Sequence, residues 1–285
     1  MIALLAMLML GADEGPLPIG DARRAVKFPD ATIDLFTYKP KRERRGPLLF
    51  VFHGVLRNAE EYRDHARVLG DKLGAIVVAP RFRESEFSID RYQLGGIRID
   101  GKLQPEETWT GRLVPILVAA VRRMEGDDER PYYLIGHSGG GQFLSRLAAF
   151  NPHEAERIVV ANAGTQVFPT GELNFPFGFG GLDKKHASDE AIRRYLAQPV
   201  TFFQGQRDTI RDEYFLVTPT AERQGKSRLE RGRNVFAAGK SLAAERGWKF
   251  NWKLVEVDDV GHDHQAMFDH PACLEALGIG GSRSP

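Results

Sequence analysis

The chain has 285 residues, 42% of them hydrophobic and 27% charged, which is the composition of an ordinary globular protein with length for one large α/β domain or two small ones. Its 39 basic and 38 acidic side chains leave a net charge of +1, which argues against a polyanionic partner such as nucleic acid. A single cysteine, Cys273, excludes an internal disulfide.

Residues 2–10 form an apolar run of about nine residues, too short to span a bilayer and of the length of the apolar part of an export signal. The run ends at Gly11-Ala12 and gives way to Asp13, Glu14, Pro16 and Pro18. Residues 1–12 are therefore read as a signal peptide and the protein as exported, periplasmic or extracellular, with no stable membrane span. No Lys or Arg precedes the run, so a mis-chosen start or a tethering segment is the alternative.

Residues 22–277 read as one domain. Residues 23–28 and 32–38 form a predicted hairpin turning at Pro29-Asp30-Ala31, and the basic cluster at 41–45 is a solvated loop. Leu48, Leu49, Phe50, Val51 and Phe52 make a fully apolar strand that runs into His53-Gly54-Val55-Leu56. Asn58 is expected to cap the next helix with Glu61 as its capping-box partner, and Tyr62, Ala66, Leu69 and Leu73 share one helical face. Residues 75–79 are a buried strand stopped by Pro80. Residues 81–104 show no period and read as an excursion beside the strand ends. Leu113, Ile116, Leu117, Ala120 and Met124 mark a helix with an expected kink at Pro115.

Gly136-His137-Ser138-Gly139-Gly140 follows the apolar run Tyr132-Tyr133-Leu134-Ile135 and precedes Phe143, Leu144, Leu147 and Ala148 at helical spacing. G-x-S-x-G between a buried strand and a helix is a nucleophile elbow, which projects the Ser138 hydroxyl above the sheet and aims the next N–H at the same spot. Asn151-Pro152 ends the helix, and residues 157–161 form another strand. Residues 165–195 read as a lid-like insertion. Phe168, Phe175, Phe177 and Phe179 make it too aromatic and broken for regular structure, so it is either a pocket wall above the serine or a loop packed on the body. Residues 200–203 are a strand with its exit turn at 204–208, residues 229–246 a helix ended by Gly247, and residues 248–257 the last strand, leading into Gly261-His262-Asp263-His264. The tail at 278–285 is expected to fray. Strands alternating with helices after a hairpin imply a mostly parallel sheet covered on both faces, with the chemistry at the strand carboxyl ends.

A serine hydroxyl needs an adjacent base, usually a histidine oriented by a carboxylate. Ser138, then Asp208 past one strand, then His262 past the last gives the order Ser, Asp, His that accompanies an elbow of this kind. His264 and His270 are the alternative bases and Asp212 the alternative acid. The oxyanion donors are expected to be the N–H groups of Gly139 and Val55, with Leu56 the alternative to Val55. Leu56, His137, Phe168, Phe175 and Phe177 are the candidate substrate contacts. His262 and His264 could hold zinc, but the chain has no paired cysteines and no H-E-x-x-H helix, so no metal is expected.

These residues resemble the α/β-hydrolase superfamily over roughly the whole body. His53-Gly54 with Arg57-Asn58-Ala59 and Tyr62, then Ala79-Pro80, then the elbow, are similar to the polyhydroxybutyrate depolymerase-like and feruloyl-esterase-like serine esterases. The resemblance implies an eight-stranded sheet, no cofactor, and carboxylic ester substrates; with one cysteine, a small or oligomeric ester is expected. Two rivals remain: a serine peptidase or amidase of the same superfamily, and a non-catalytic binding protein on a hydrolase scaffold.

Overall fold

The computed structural model describes residues 15–41 and 45–279. The apolar leader and almost all of the glycine-rich tail lie outside the described residues. Among those described, no helix is long and apolar enough to cross a membrane.

The strands are β1 (Gly20–Lys27), β2 (Thr32–Lys39), β3 (Leu48–Phe52), β4 (Ile76–Arg81), the short pair β5 (Arg98–Ile99) and β6 (Lys102–Leu103), β7 (Tyr132–His137), β8 (Arg157–Ala161), β9 (Val200–Gly205) and β10 (Lys253–Val257). The helices are α1 (Ala59–His65), α2 (Arg67–Leu73), α3 (Leu113–Glu125), α4 (Gly139–Phe150), α5 (Asp189–Leu196), α6 (Pro219–Glu222), α7 (Arg228–Arg246), α8 (His264–Asp269) and α9 (Ala272–Ala276). One eight-stranded sheet runs in the order β1-β2-β4-β3-β7-β8-β9-β10. Within this sheet the β1–β2 and β2–β4 pairs are antiparallel and every other pair is parallel, while the separate β5–β6 pair is antiparallel.

The two-residue period of the central strands explains why they are apolar throughout. Leu48, Phe50 and Phe52 of β3 enter one core, which contains Leu117 and Val121 of α3, Phe143 and Leu147 of α4 and Val235 of α7. Leu49 and Val51 enter the other, with Tyr62, Leu69, Met267 and Phe268 from α1, α2 and α8. Leu134 and Ile135, Val160 and Val159, and Phe202 and Phe203 divide in the same way.

Several local expectations change. Asn58 occupies the N-cap of α1 but makes no side-chain cap bond; its Nδ2 donates to Glu61 Oε2 at 2.7 Å instead. The expected single helix breaks at Ala66 into α1 and α2. Pro80 lies inside β4, opposite Leu35. The β3–β4 pairing ends at Phe50 and Val78, so Pro80 extends the strand where it has a single neighbour and needs no donor on the other side. Pro115 falls in the first turn of α3, where a missing N–H costs no intrahelical bond, and the helix runs unbroken to Glu125. The last strand begins at Lys253 rather than near Trp248. The Asn251 N–H donates to Leu196 O at 3.0 Å and the Trp252 indole to Tyr195 O at 3.0 Å, which ties this stretch to α5 and not to the sheet.

Residues 165–195 pack on the body, one of the two arrangements the sequence left open. They end in most of α5, capped by Ser188, whose hydroxyl accepts the Ala191 N–H, and α5 buries Ala191, Ile192, Tyr195 and Leu196. Phe179 is fully buried against Phe150 and Tyr195, and Phe175 packs edge-on against Phe150. The guanidinium of Arg146, itself buried on α4, donates to Gln142 O, Thr165 O, Thr165 Oγ1 and Pro176 O at 2.8–3.1 Å. Burial lowers its pKa to about 10.

Candidate active site

Ser138 stands between β7 and α4 with φ 56° and ψ −117°, a strained conformation for a residue with a side chain. The close approach of helix to strand is what holds it there. A Cβ on Gly136 would sit 2.5 Å from the Gly140 backbone, and one on Gly140 would sit 2.2 Å from Phe52 O. The Ser138 N–H donates to Ala161 O at 3.0 Å, fixing the elbow to β8.

The loop after β3 faces this serine. A Cβ built on Gly54 would lie 3.6 Å from Ser138 Cβ and 3.9 Å from Oγ, and one on Gly139 would lie 3.3 Å from the Val55 nitrogen. Gly139 and the Val55 amide, the two positions chosen from sequence as oxyanion donors, are thus neighbours. His53 holds the loop: its Nε2 accepts the Phe82 N–H at 3.1 Å, so Nδ1 carries the proton and donates to Gly54 O at 2.9 Å. Burial pushes His53 down to about 3, so it stays neutral. Arg57, at φ 60°, donates to Phe82 O and Phe87 O and lies over the Tyr92 ring, and the Tyr92 hydroxyl donates to His53 O at 2.8 Å.

Asp208 and His262 meet across the ends of β9 and β10. The His262 Nδ1 lies 2.7 Å from Asp208 Oδ2, with the carboxylate buried and the imidazole side chain 26% exposed. Asp208 Oδ1 has no hydrogen bond among the described residues and faces Arg228 Nη1 at 3.5 Å. The alternatives are engaged elsewhere. Asp212 takes Arg228 Nη2 on both oxygens at 2.7 and 2.8 Å. His270 Nδ1 accepts the Ala272 N–H, and His264 stacks on Tyr62 with ring centroids 4.0 Å apart.

His137, next to the serine, is fully enclosed between Tyr62 and Asn162. Its Nδ1 is 3.3 Å from the Tyr62 hydroxyl and its Nε2 is 3.4 Å from Asn162 Nδ2. Burial first, then the nearby His262, His264 and Arg228 charges, hold it well below the ordinary histidine pKa, which suits a neutral strut and not a base. Its ring lies 4.5 Å from that of His262. Of the other candidate substrate contacts, Leu56 is 69% exposed beside Val55. Phe168 and Phe177 are half-buried, whereas Phe175 belongs to the core and offers no free ring.

Sequence reasoning missed Asn162, Arg228 and Gln93. Asn162 accepts the Gly205 N–H on Oδ1 at 2.9 Å and donates to Gly261 O at 3.1 Å, bracing the turns that carry Asp208 and His262. Gln93, buried in the 81–104 excursion, brings Nε2 within 3.3 Å of a Cβ position on Gly139. A second missed feature is the exposed apolar loop after Asp208, with Ile210, Tyr214, Leu216 and Val217 at its surface. Arg231 lies beneath it, donating to Leu216 O and Gly164 O.

No protein-family model matches the sequence, and no curated protein matches it. Solved structures do. A poly(3-hydroxybutyrate) depolymerase from Bordetella parapertussis is 34% identical, with 92% of each chain covered and a TM-score of 0.81. The poly(aspartic acid) hydrolase-1 of Sphingomonas sp. KT-1 is 28% identical over 92% of this chain and 99% of that one, at a TM-score of 0.83. An S-formylglutathione hydrolase from Agrobacterium tumefaciens, at 18% identity, 93% and 98% coverage and a TM-score of 0.54, shares the fold. With an eight-stranded, mostly parallel sheet, an elbow serine and these relatives, the chain belongs to the α/β-hydrolase superfamily.

Proposed function

We propose that this hydrolase cleaves carboxylic esters through Ser138, His262 and Asp208. The observation that carries the reading is the 2.7 Å contact between buried Asp208 and His262 Nδ1 at the strand ends where the strained Ser138 sits. Asp208 fixes the tautomer with the proton on Nδ1 and leaves Nε2 free to accept. Ser138 Oγ attacks the ester carbonyl as Nε2 takes its proton, and the oxyanion gathers the N–H groups of Val55 and Gly139. His262 returns the proton to the leaving alcohol. Water, activated by the same nitrogen, then hydrolyses the acyl-enzyme, and Ser138 recovers its proton.

For the substrate, the exposed apolar residues that follow the proposed machinery in the chain are Leu56, next to Val55, and Ile210, Tyr214, Leu216 and Val217 in the loop after Asp208, which supports a small or oligomeric apolar ester. The relative named a depolymerase of a polyester is in keeping with this. Amide cleavage is the second reading, favoured by the relative named a hydrolase of poly(aspartic acid), a polyamide. Export is proposed on the apolar run at residues 2–10, and the amino terminus of the mature protein, read by mass spectrometry, tests it.

The functional test is hydrolysis of p-nitrophenyl esters from acetate to palmitate, and of matched anilides, by wild type and Ser138→Ala. Turnover of esters by wild type, reduced at least about 10⁴-fold in the variant, is expected. Equal turnover by both proteins would overturn the reading, and a preference for anilides would select the amide alternative.

A further inference from the structure

On the far side of the column of aromatic rings that runs outward from the catalytic loop, three donor groups converge. Glu61 and His65 are four residues apart on α1 and so share one face of that helix. His264 is the first residue of α8, two positions beyond His262. His65 Nδ1 and His264 Nε2 lie 2.9 Å apart, Glu61 Oε1 lies 3.7 Å from His264 Nε2, and one ligand atom from each of the three falls within 4.8 Å of the others.

We propose that Glu61, His65 and His264 form a binding site for one divalent late transition-metal ion, Zn²⁺ being the best match. Zinc takes imidazole nitrogen at about 2.0–2.1 Å and carboxylate oxygen at about 2.0–2.2 Å in tetrahedral array, so two ligand atoms stand about 3.3 Å apart. The two nitrogens and the carboxylate oxygen bracket that value, and Glu61 is half-exposed on a long side chain that can shorten its gap by one rotation. Two imidazoles with one carboxylate are a borderline donor set, better suited to zinc than to calcium or magnesium, which prefer oxygen cages. Solvent supplies the fourth position.

The facing nitrogens are 2.9 Å apart, so without an ion one of them carries a hydrogen and donates to the other. On binding, that ring shifts its hydrogen to its opposite nitrogen, both lone pairs turn to the metal, and no proton need leave the protein. The ring of His264 is already held in place. It stacks face to face on Tyr62, at an interplanar angle of 2°, and meets the edge of Phe268. The ion would join α1 to the start of α8. It would thus clamp the segment that follows His262, with Tyr62 and His137 as the rings between the clamp and the catalytic imidazole.

The test uses full-length mature protein stripped with EDTA and titrated with Zn²⁺ against a chromogenic indicator, with melting followed in parallel. Wild type is expected to take up one ion per chain with a rise in Tm. His65→Ala and His65→Gln are expected to weaken uptake by at least about tenfold and to abolish the rise in Tm, with Glu61→Gln weakening it less. His262→Ala is expected to retain the ion, which separates this site from the proposed catalytic dyad and keeps the result independent of esterase activity. Circular dichroism of the metal-free variants checks folding, and if His65→Ala is unfolded, His65→Gln decides. No uptake by wild type, uptake unchanged in the folded His65 variants, or loss of uptake in folded His262→Ala would each overturn the proposal.

Discussion

Arg228 and Asp208 face each other at 3.5 Å with both side chains almost wholly buried. The same guanidinium holds Asp212 through two bonds, so one cation at the start of α7 serves both carboxylates of the 208–212 turn. Removing it leaves Asp208 buried without its counter-charge. Arg228→Met is expected to cost about 3 kcal/mol of stability and to lower kcat, whereas Asp212→Asn, which alters a partly exposed partner, is expected to cost about 1 kcal/mol or less. Urea denaturation of the three proteins makes the comparison.

The elbow can be relaxed without rebuilding it. Ser138 sits at φ 56°, so Ser138→Gly is expected to be inactive yet more stable than wild type, by about 1 kcal/mol after the entropy of a new glycine is set against the relieved strain. Gly140→Ala is expected to do the opposite. Its methyl would meet Phe52 O, and a loss of at least about 2 kcal/mol together with all ester turnover is the expected outcome.

Gln93 tests the proposed oxyanion site. If its amide nitrogen helps to hold the developing charge beside Gly139, Gln93→Leu will lower kcat by about tenfold or more with little change in KM. A rise in KM alone would assign Gln93 to substrate binding instead.

His53 predicts a pH dependence of stability. It is neutral in the folded protein down to about pH 3, while in the unfolded chain it takes a proton near its ordinary value of 6.5. Between these values the unfolded state binds the extra proton. Stability is therefore full above pH 6.5 and falls as the pH is lowered, by about 3 kcal/mol between pH 6.5 and 4 from this residue. Denaturation of wild type and His53→Gln at pH 7 and pH 4 should show the variant losing less stability across that interval.

What could be read from the sequence was whatever is written locally. Ser138 lies in a five-residue signature, and Asp208 and His262 each follow a strand within a few positions, so strand order was enough to bring the last two together. The parallel sheet followed from apolar runs such as that of β3. Asn162, Gln93 and Arg228 act on groups tens of residues away, and nothing in their neighbours distinguishes them from any polar residue at a strand exit, in a loop or at a helix start. Phe175, a candidate substrate contact that lies in the core, misled for the converse reason. An aromatic cluster without periodicity looks the same whether it lines a cleft or fills a core, and only the buried Arg146 beneath it decides. Pro80 and Trp252 show the same limit, since strand ends depend on which neighbours remain to be paired.

The four acceptors gathered by Arg146 also determine where this scaffold can change its appetite. Redrawing the aromatic segment means re-housing a desolvated cation that is anchored in the same helix as the elbow, so small edits there endanger the placement of Ser138 itself. The loop bearing Ile210, Tyr214, Leu216 and Val217 carries no such debt at its tips, which stand in water. Diversification toward bulkier acyl or alcohol groups should therefore accumulate on that loop, in the laboratory as in descent, while the buried phenylalanines of the aromatic segment stay fixed.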